Sequence, residues 1–178
     1  MFSGATAFSQ NYTSSWNTAA VTNNSYMFTL PPPVLSLHSN GVTLVELADA
    51  VLGQSYTLNG TSYLVVDNSN IAANKTADIV TTRVTNMQNL FNGESTFNGD
   101  ISSWDTSAVT NMKMMFLQAR EFNQDISAWD TSNNTNMDYM FSHAFKFNGN
   151  IGSWDTSKVT IMWKLFERAY VFLCLIHI

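Results

Sequence analysis

The chain has 178 residues, 45% hydrophobic and 12% charged, with a net charge of −5 because only eight are Lys or Arg. That apolar share fills a core and excludes a disordered chain, while the lack of any basic cluster argues against nucleic-acid and anionic-membrane partners. A single cysteine, Cys174, excludes an intrachain disulfide framework and a cysteine-based zinc site.

In chain order, Met1-Phe2, Ala5 and Phe8 keep the spacing of Met115-Phe116, Ala119 and Phe122 further on. Trp16, Val21 and Met27-Phe28 continue the pattern with one extra residue between Phe8 and Trp16. Residues 1–30 therefore read as a degenerate partial repeat entered midway, and the chain is expected to be part of a longer array. No basic, then apolar opening marks a signal peptide, and the longest apolar run, Tyr170 to Ile178, is too short to span a membrane.

Pro31-Pro32-Pro33 breaks any helix and marks residues 31–39 as a linker. Residues 40–83 are expected to form a small β-hairpin unit and lead-in that cap the array of repeats. Within it Val42 to Glu46 alternates like a strand, and Asn59-Gly60 lies between the β-forming runs Ser55–Leu58 and Thr61–Val66. Asn-Gly at that place calls for a type I′ turn, in which both central residues take positive φ.

From residue 84 to 178 the chain repeats itself every 25 residues. Phe97, Ile101 and Trp104 return as Phe122, Ile126 and Trp129 and again as Phe147, Ile151 and Trp154. Met112 and Phe116 return as Met137 and Phe141 and as Met162 and Phe166. A period of this length means stacked units, because one unit buries too few side chains to offset the ordering of its backbone. These 15 residues are expected to be the buried structural ladder. Met112, Met115, Phe116 and Ala119 follow spacings of three and four, which predicts a short helix, with Thr85, Thr110, Thr135 and Thr160 as N-caps. Phe97 to Trp104 is short, aromatic and β-branched and predicts a strand. The expected fold class is an α/β repeat solenoid, leucine-rich-repeat-like, with one short strand and one short helix per 25-residue coil, preceded by the small antiparallel β unit. Asn134, standing where Val109 and Val159 stand in neighbouring units, is expected to push an amide into an apolar column.

Chemistry is sparse. His38, His143 and His177 fall in three unlike contexts, and His143 is expected to be a solvated surface residue. No nucleophile elbow, phosphate-binding glycine loop or His-Glu-x-x-His is present. The recurring Asp100 and Asp125, and Asp105, Asp130 and Asp155, are expected to cap turns, with stacked calcium ligation as the alternative. The Trp104, Trp129, Trp154 column is expected to be core, with a sugar-stacking platform as its alternative. No catalytic residue, metal ligand or cofactor is assigned.

The string Phe-Asn-x-Asp-Ile-Ser-x-Trp-Asp-Thr-Ser-x-Val-Thr-Asn-Met-x-x-Met-Phe-x-x-Ala, carried by residues 97–119, 122–144 and 147–169, resembles the BspA-type leucine-rich-repeat surface proteins. The resemblance covers residues 84–172 well and the first 28 weakly. It implies a non-enzymatic repeat module of a secreted or cell-surface protein, with an adhesion-type protein or glycan ligand at a cell surface or matrix. The competing expectation is an accessory or spacer domain of a larger surface enzyme, without activity of its own.

Overall fold

The computed structural model describes residues 35–46 and 50–172. The expectations for residues 1–30, for the start of the linker and for the array beyond residue 172, with Cys174 and His177, lie outside the described residues.

Strand β1 (Leu35–Leu37) pairs antiparallel with β2 (Leu44–Glu46), Leu37 opposite Leu44. The Asn40 carboxamide oxygen closes the turn between them by accepting the N–H groups of Val42 and Thr43, both at 2.9 Å. Strands β3 (Ser55–Leu58) and β4 (Thr61–Asp67) form a hairpin, with Asn59 and Gly60 at φ 51° and 86° as the two-residue turn demands. The sheet is not purely antiparallel. β5 (Ile79–Arg83) joins β4 in parallel, Leu64 opposite Ile79, after a crossover that holds a 3₁₀ turn at Ile71–Ala73. Because successive strand residues face opposite sides, β4 serves two cores at once. Leu64 and Val66 pack toward the repeats, whereas Tyr63 and Val65 pack with Leu35, Leu44, Ala50 and Val80. A bond from the Leu44 N–H to the Ser103 carbonyl, 2.8 Å, ties β2 to the first repeat.

The expected α/β repeat solenoid is not what forms. Among the described residues there is no α-helix and no strand within residues 84–172; two small sheets, of two and three strands, precede a stack of turns. The reason lies in where the backbone N–H groups go. In a helix each would donate to the carbonyl four residues back. Here the N–H groups of Met87, Asn89, Phe91 and Gly93 leave the unit for the carbonyls of Asn111, Lys113, Met115 and Leu117, at 2.8–3.0 Å. The residues between them turn inward: Leu90, Asn92 and Glu94 donate to Met87, Asn89 and Phe91, three residues back. Units two and three repeat the outward row, from Met112, Met114, Phe116 and Gln118 and from Met137, Tyr139, Phe141 and His143. Every fourth residue of this ribbon is left-handed: Asn89, Gly93, Met114, Gln118, Tyr139, His143, Lys164 and Arg168 have φ between 53° and 78°. A ribbon of four-residue turns places residues three and four apart on one face, so it reproduces the apolar spacing of a helix.

The threonines expected as helix N-caps bridge the units instead. Thr110, Thr135 and Thr160 donate both N–H and hydroxyl to the carbonyls of Thr85, Thr110 and Thr135. The expected strand from Phe97 to Trp104 is likewise a turn, in which the Asp100 carboxylate accepts the Ser102 N–H and Trp104 donates to Ile101. Where this half does reach the preceding unit, the N–H groups of Asn123 and Asn148 donate to the side-chain oxygens of Asn98 and Asn123, so no strand ladder forms; among the described residues the parallel bridges between units run through Asn86, Asn111, Asn136 and Ile161.

Candidate functional site

The inward columns are rows of rings and apolar chains. Phe91, Phe116, Phe141 and Phe166 stack at 5.4, 5.5 and 5.6 Å between centroids. Phe97, Phe122, Phe147 and Phe172 stack beside them at 5.8, 5.9 and 5.6 Å. Ile101, Trp104, Met112, Ile126, Trp129 and Met137 are buried, as are Phe116, Phe122, Phe141 and Phe147. Phe97, Ile151, Trp154 and Phe166 are half-buried against this core, and Met162 is exposed. Trp129 and Trp154 stack at 6.4 Å, and their indole N–H groups donate to the carbonyls of Ile101 and Ile126 one unit back. Trp104 and Trp129, buried within the column, present no open face for a sugar, whereas Trp154 is half-buried and stacked on Trp129 from one side.

The recurring acids are spent on the backbone. Asp125 and Asp155 accept the N–H groups of Ser127 and Ser157 at 2.9 and 2.8 Å, and these bonds hold both carboxyls below the usual carboxylate range. Asp105 and Asp130 accept from Ser107 and Ser132 in the same way, and Asn150 does so for Gly152. Among the described residues no three His, Cys, Asp or Glu converge as a metal site.

Two places gather other polar groups. A cleft of about 140 Å³ between the β1–β2 turn and the first two repeats is lined by His38, Asn40, Thr43, Asp105, Ser107 and Asp130. Its volume is below the ~300 Å³ at which small-molecule sites begin. The other is His143, which is not fully solvated as expected but half-buried, 2.9 Å from the Ser142 hydroxyl. Glu167 lies 3.5 Å from that hydroxyl. Ser, His and Glu do not act as a triad here. Ser142 is 1% exposed, so no substrate reaches its oxygen, and Glu167 is engaged by Lys164 at 2.8 Å. That bond raises the Lys164 pKa and lowers that of Glu167.

The outward positions of the ribbon differ from unit to unit. Where the first unit has Gln88 and Asn89 and the second Lys113 and Met114, the third has Asp138 and Tyr139 and the fourth Trp163 and Lys164. Sequence reasoning missed this face, because it followed the columns that recur. On the last two units two aromatic pairs each have a cation beside them. Trp163, 62% exposed, meets Tyr139 edge-on at 5.1 Å, with the Lys164 ammonium over both rings. Phe145 stacks on Tyr170, 70% exposed, at 5.3 Å, with the Arg120 guanidinium over Phe145. Rings with cations beside them suit a partner that offers flat or apolar surface and acceptor groups.

Among the described residues no helix is long and apolar enough to cross a membrane. No curated protein and no solved structure matches the chain. One protein-family model does, over residues 1–32 and 60–176, which take in the whole stack. With most of its length matched, the chain belongs to the repeat family described as "Mycoplasma protein of unknown function, DUF285".

Proposed function

We propose that this chain is a non-enzymatic repeat module of a secreted or cell-surface protein that binds a protein or glycan partner in an adhesion-type role, as its resemblance to BspA-type surface proteins implies. The supporting observation is the division of labour between columns. Recurring residues face inward or close turns, whereas the outward positions change and bring together two aromatic pairs, Tyr139 with Trp163 and Phe145 with Tyr170, in which Trp163 and Tyr170 are exposed. A surface whose scaffold is constant and whose outer residues vary can take a partner without altering the fold. The test is a binding screen of the chain against matrix proteins and a glycan array, repeated with the Trp163→Ala/Tyr170→Ala double variant. A ligand whose binding falls about tenfold or more in the double variant supports the reading, since exposed aromatics carry such energies. A screen negative throughout, or a ligand indifferent to both rings, overturns it.

A further inference from the structure

The β1–β2 hairpin buries a carboxylate that it does not satisfy. Down one column of the stack Asp130 and Asp155 close exposed turns, whereas Asp105, beside this hairpin, is 6% exposed. Its Oδ1 accepts the Ser107 N–H at 3.0 Å and the Ser107 hydroxyl at 2.7 Å; its Oδ2 has no donor among the described residues. Nor is that oxygen sealed in, as Trp104 Nε1, Asn134 Nδ2 and Asp138 Oδ1 are. It keeps an opening, and Asp105 lines the cleft of about 140 Å³ under the hairpin. The turn itself does not need the charge, since Asn150 closes a turn with an amide, accepting the Gly152 N–H at 3.0 Å. One unit earlier the position carries no acid at all: Thr81, whose hydroxyl donates to the Asp105 main-chain carbonyl as Thr106 does to that of Asp130, follows Val80. A carboxylate oxygen left buried and unbonded is costly unless a cation or a donor reaches it.

We propose that this cleft is a binding site for a primary ammonium group carried on a short unbranched methylene stem. The donors of its walls are already spent: Asn40 Nδ2 on the Thr43 hydroxyl at 2.8 Å, and the Ser107 hydroxyl on Asp105. Asp130, the second carboxylate of the lining, gives Oδ1 to the Ser132 N–H at 2.9 Å and keeps Oδ2. No Lys or Arg among the described residues lines the cleft, so two carboxylates face it without a cation. A metal ion is the poorer occupant, because His38, Asp105 and Asp130 line the cleft but do not converge as a ligand set. An ammonium asks less, since its three N–H groups reach acceptors on separate walls, and bonds to carboxylate are the strong ones. The stem has apolar wall to lie on. Leu44 is spent in the core, so its neighbour Val45 faces the other way, and Ala128 lies across the cleft. The volume is too small for a whole small molecule and fits the end of one. This site is separate from the two aromatic pairs and stands whether or not they bind anything.

The probe is n-butylammonium chloride, titrated into the full chain at constant ionic strength, with the amide signals of Thr43, Ser107 and Ser132 as the readout. Saturable shifts are expected with n-butylammonium and none with 1-butanol, which lacks the charge, or tetramethylammonium, which lacks the N–H donors. Asp105→Asn keeps an acceptor for the Ser107 N–H and should weaken binding about tenfold or more. Asp130→Asn, on an exposed turn, should weaken it as well, whereas Asp155→Asn, in the same column but outside the cleft, should not. A lysine side chain of a protein partner and a free amine share this chemistry. Nα-acetyl-lysinamide binding at least as tightly as n-butylammonium assigns the head to a partner's lysine, and weaker binding assigns it to a free amine. No saturation, an equal response to either control, binding that survives both Asp105→Asn and Asp130→Asn, or an equal loss in Asp155→Asn would each overturn the proposal.

Discussion

At the level of single residues, the ribbon asks several side chains to adopt a backbone conformation that suits glycine. Gln118 has φ 62° and is exposed, and Gly93 fills the same position one unit earlier at φ 78°. A non-glycine residue held there costs about 1–3 kcal/mol, partly offset by the greater freedom of glycine in the unfolded chain. Gln118→Gly keeps the N–H that bonds the Ser142 carbonyl at 2.9 Å. It should raise stability by about 1 kcal/mol, read as a higher denaturant midpoint at unchanged slope. Asn134 carries a different strain. It is 0% exposed; its side-chain oxygen accepts the Asn136 N–H, but its Nδ2 has no partner among the described residues. Burying such a donor costs about 1–3 kcal/mol, so Asn134→Val should raise the midpoint by a gain of about 1 kcal/mol after the loss of the Asn136 bond. An unchanged midpoint would mean that the lost bond matters as much as the orphaned donor.

At the level of the element, the unit is held by short polar side chains closing turns on either side of an apolar row, and this has a pH signature. Asp67, Asp125 and Asp155 have carboxyls lowered from the usual 3.8, in each case chiefly by bonds from a serine two residues on. A carboxyl lowered in the folded state binds fewer protons than its unfolded counterpart. Its stabilisation is present above the unfolded value and is lost as pH falls through the folded one. Midpoints should therefore hold from neutral pH to about pH 4 and fall below it. Asp125→Asn keeps an acceptor for the Ser127 N–H, as Asn150 does for Gly152 at 3.0 Å. That variant should match the parent at pH 7 and lose less stability at pH 3. The turn chemistry of these elements was legible in the letters: Asn59-Gly60 turns as its residues require, and Asp before Ser caps. The helix and strand assignments failed because spacing of three and four is shared by a helix and by a ribbon of turns. Nothing local in Val109 to Ala119 states that alternate amides will bond to a chain 24 residues away.

At the level of the whole molecule, stability should be a sum over joints, highest in the middle of the stack and lower where the ribbon amides find no acceptor among the described residues. Amide exchange measures this directly. The rung amides of Met112, Phe116, Met137 and Phe141 should exchange slowest, and those of Met162, Lys164, Phe166 and Arg168 fastest among their column mates. Ring truncation should follow the same gradient. Phe141→Ala removes a ring stacked on both sides and should cost about 3–5 kcal/mol; Phe172→Ala, with a stacked neighbour on one side of its column, should cost clearly less. Equal costs would show that the units do not couple through their ring columns.

The period, the letters of each column, the hairpin at Asn59-Gly60 and the low charge are legible in the letters alone, since they depend on local identity and on repetition. Only the folded chain shows that β5 lies parallel to β4, that the ribbon is built of turns and not helix, and that the first unit is capped by Asn68 and Lys75. It also shows that His143 leans on Ser142, that Tyr139 meets Trp163 and that Phe145 meets Tyr170. The physical reason is common to all of these. Each depends on which partner a backbone amide or an exposed ring meets across a joint, and residues about 25 apart meet only once the stack exists.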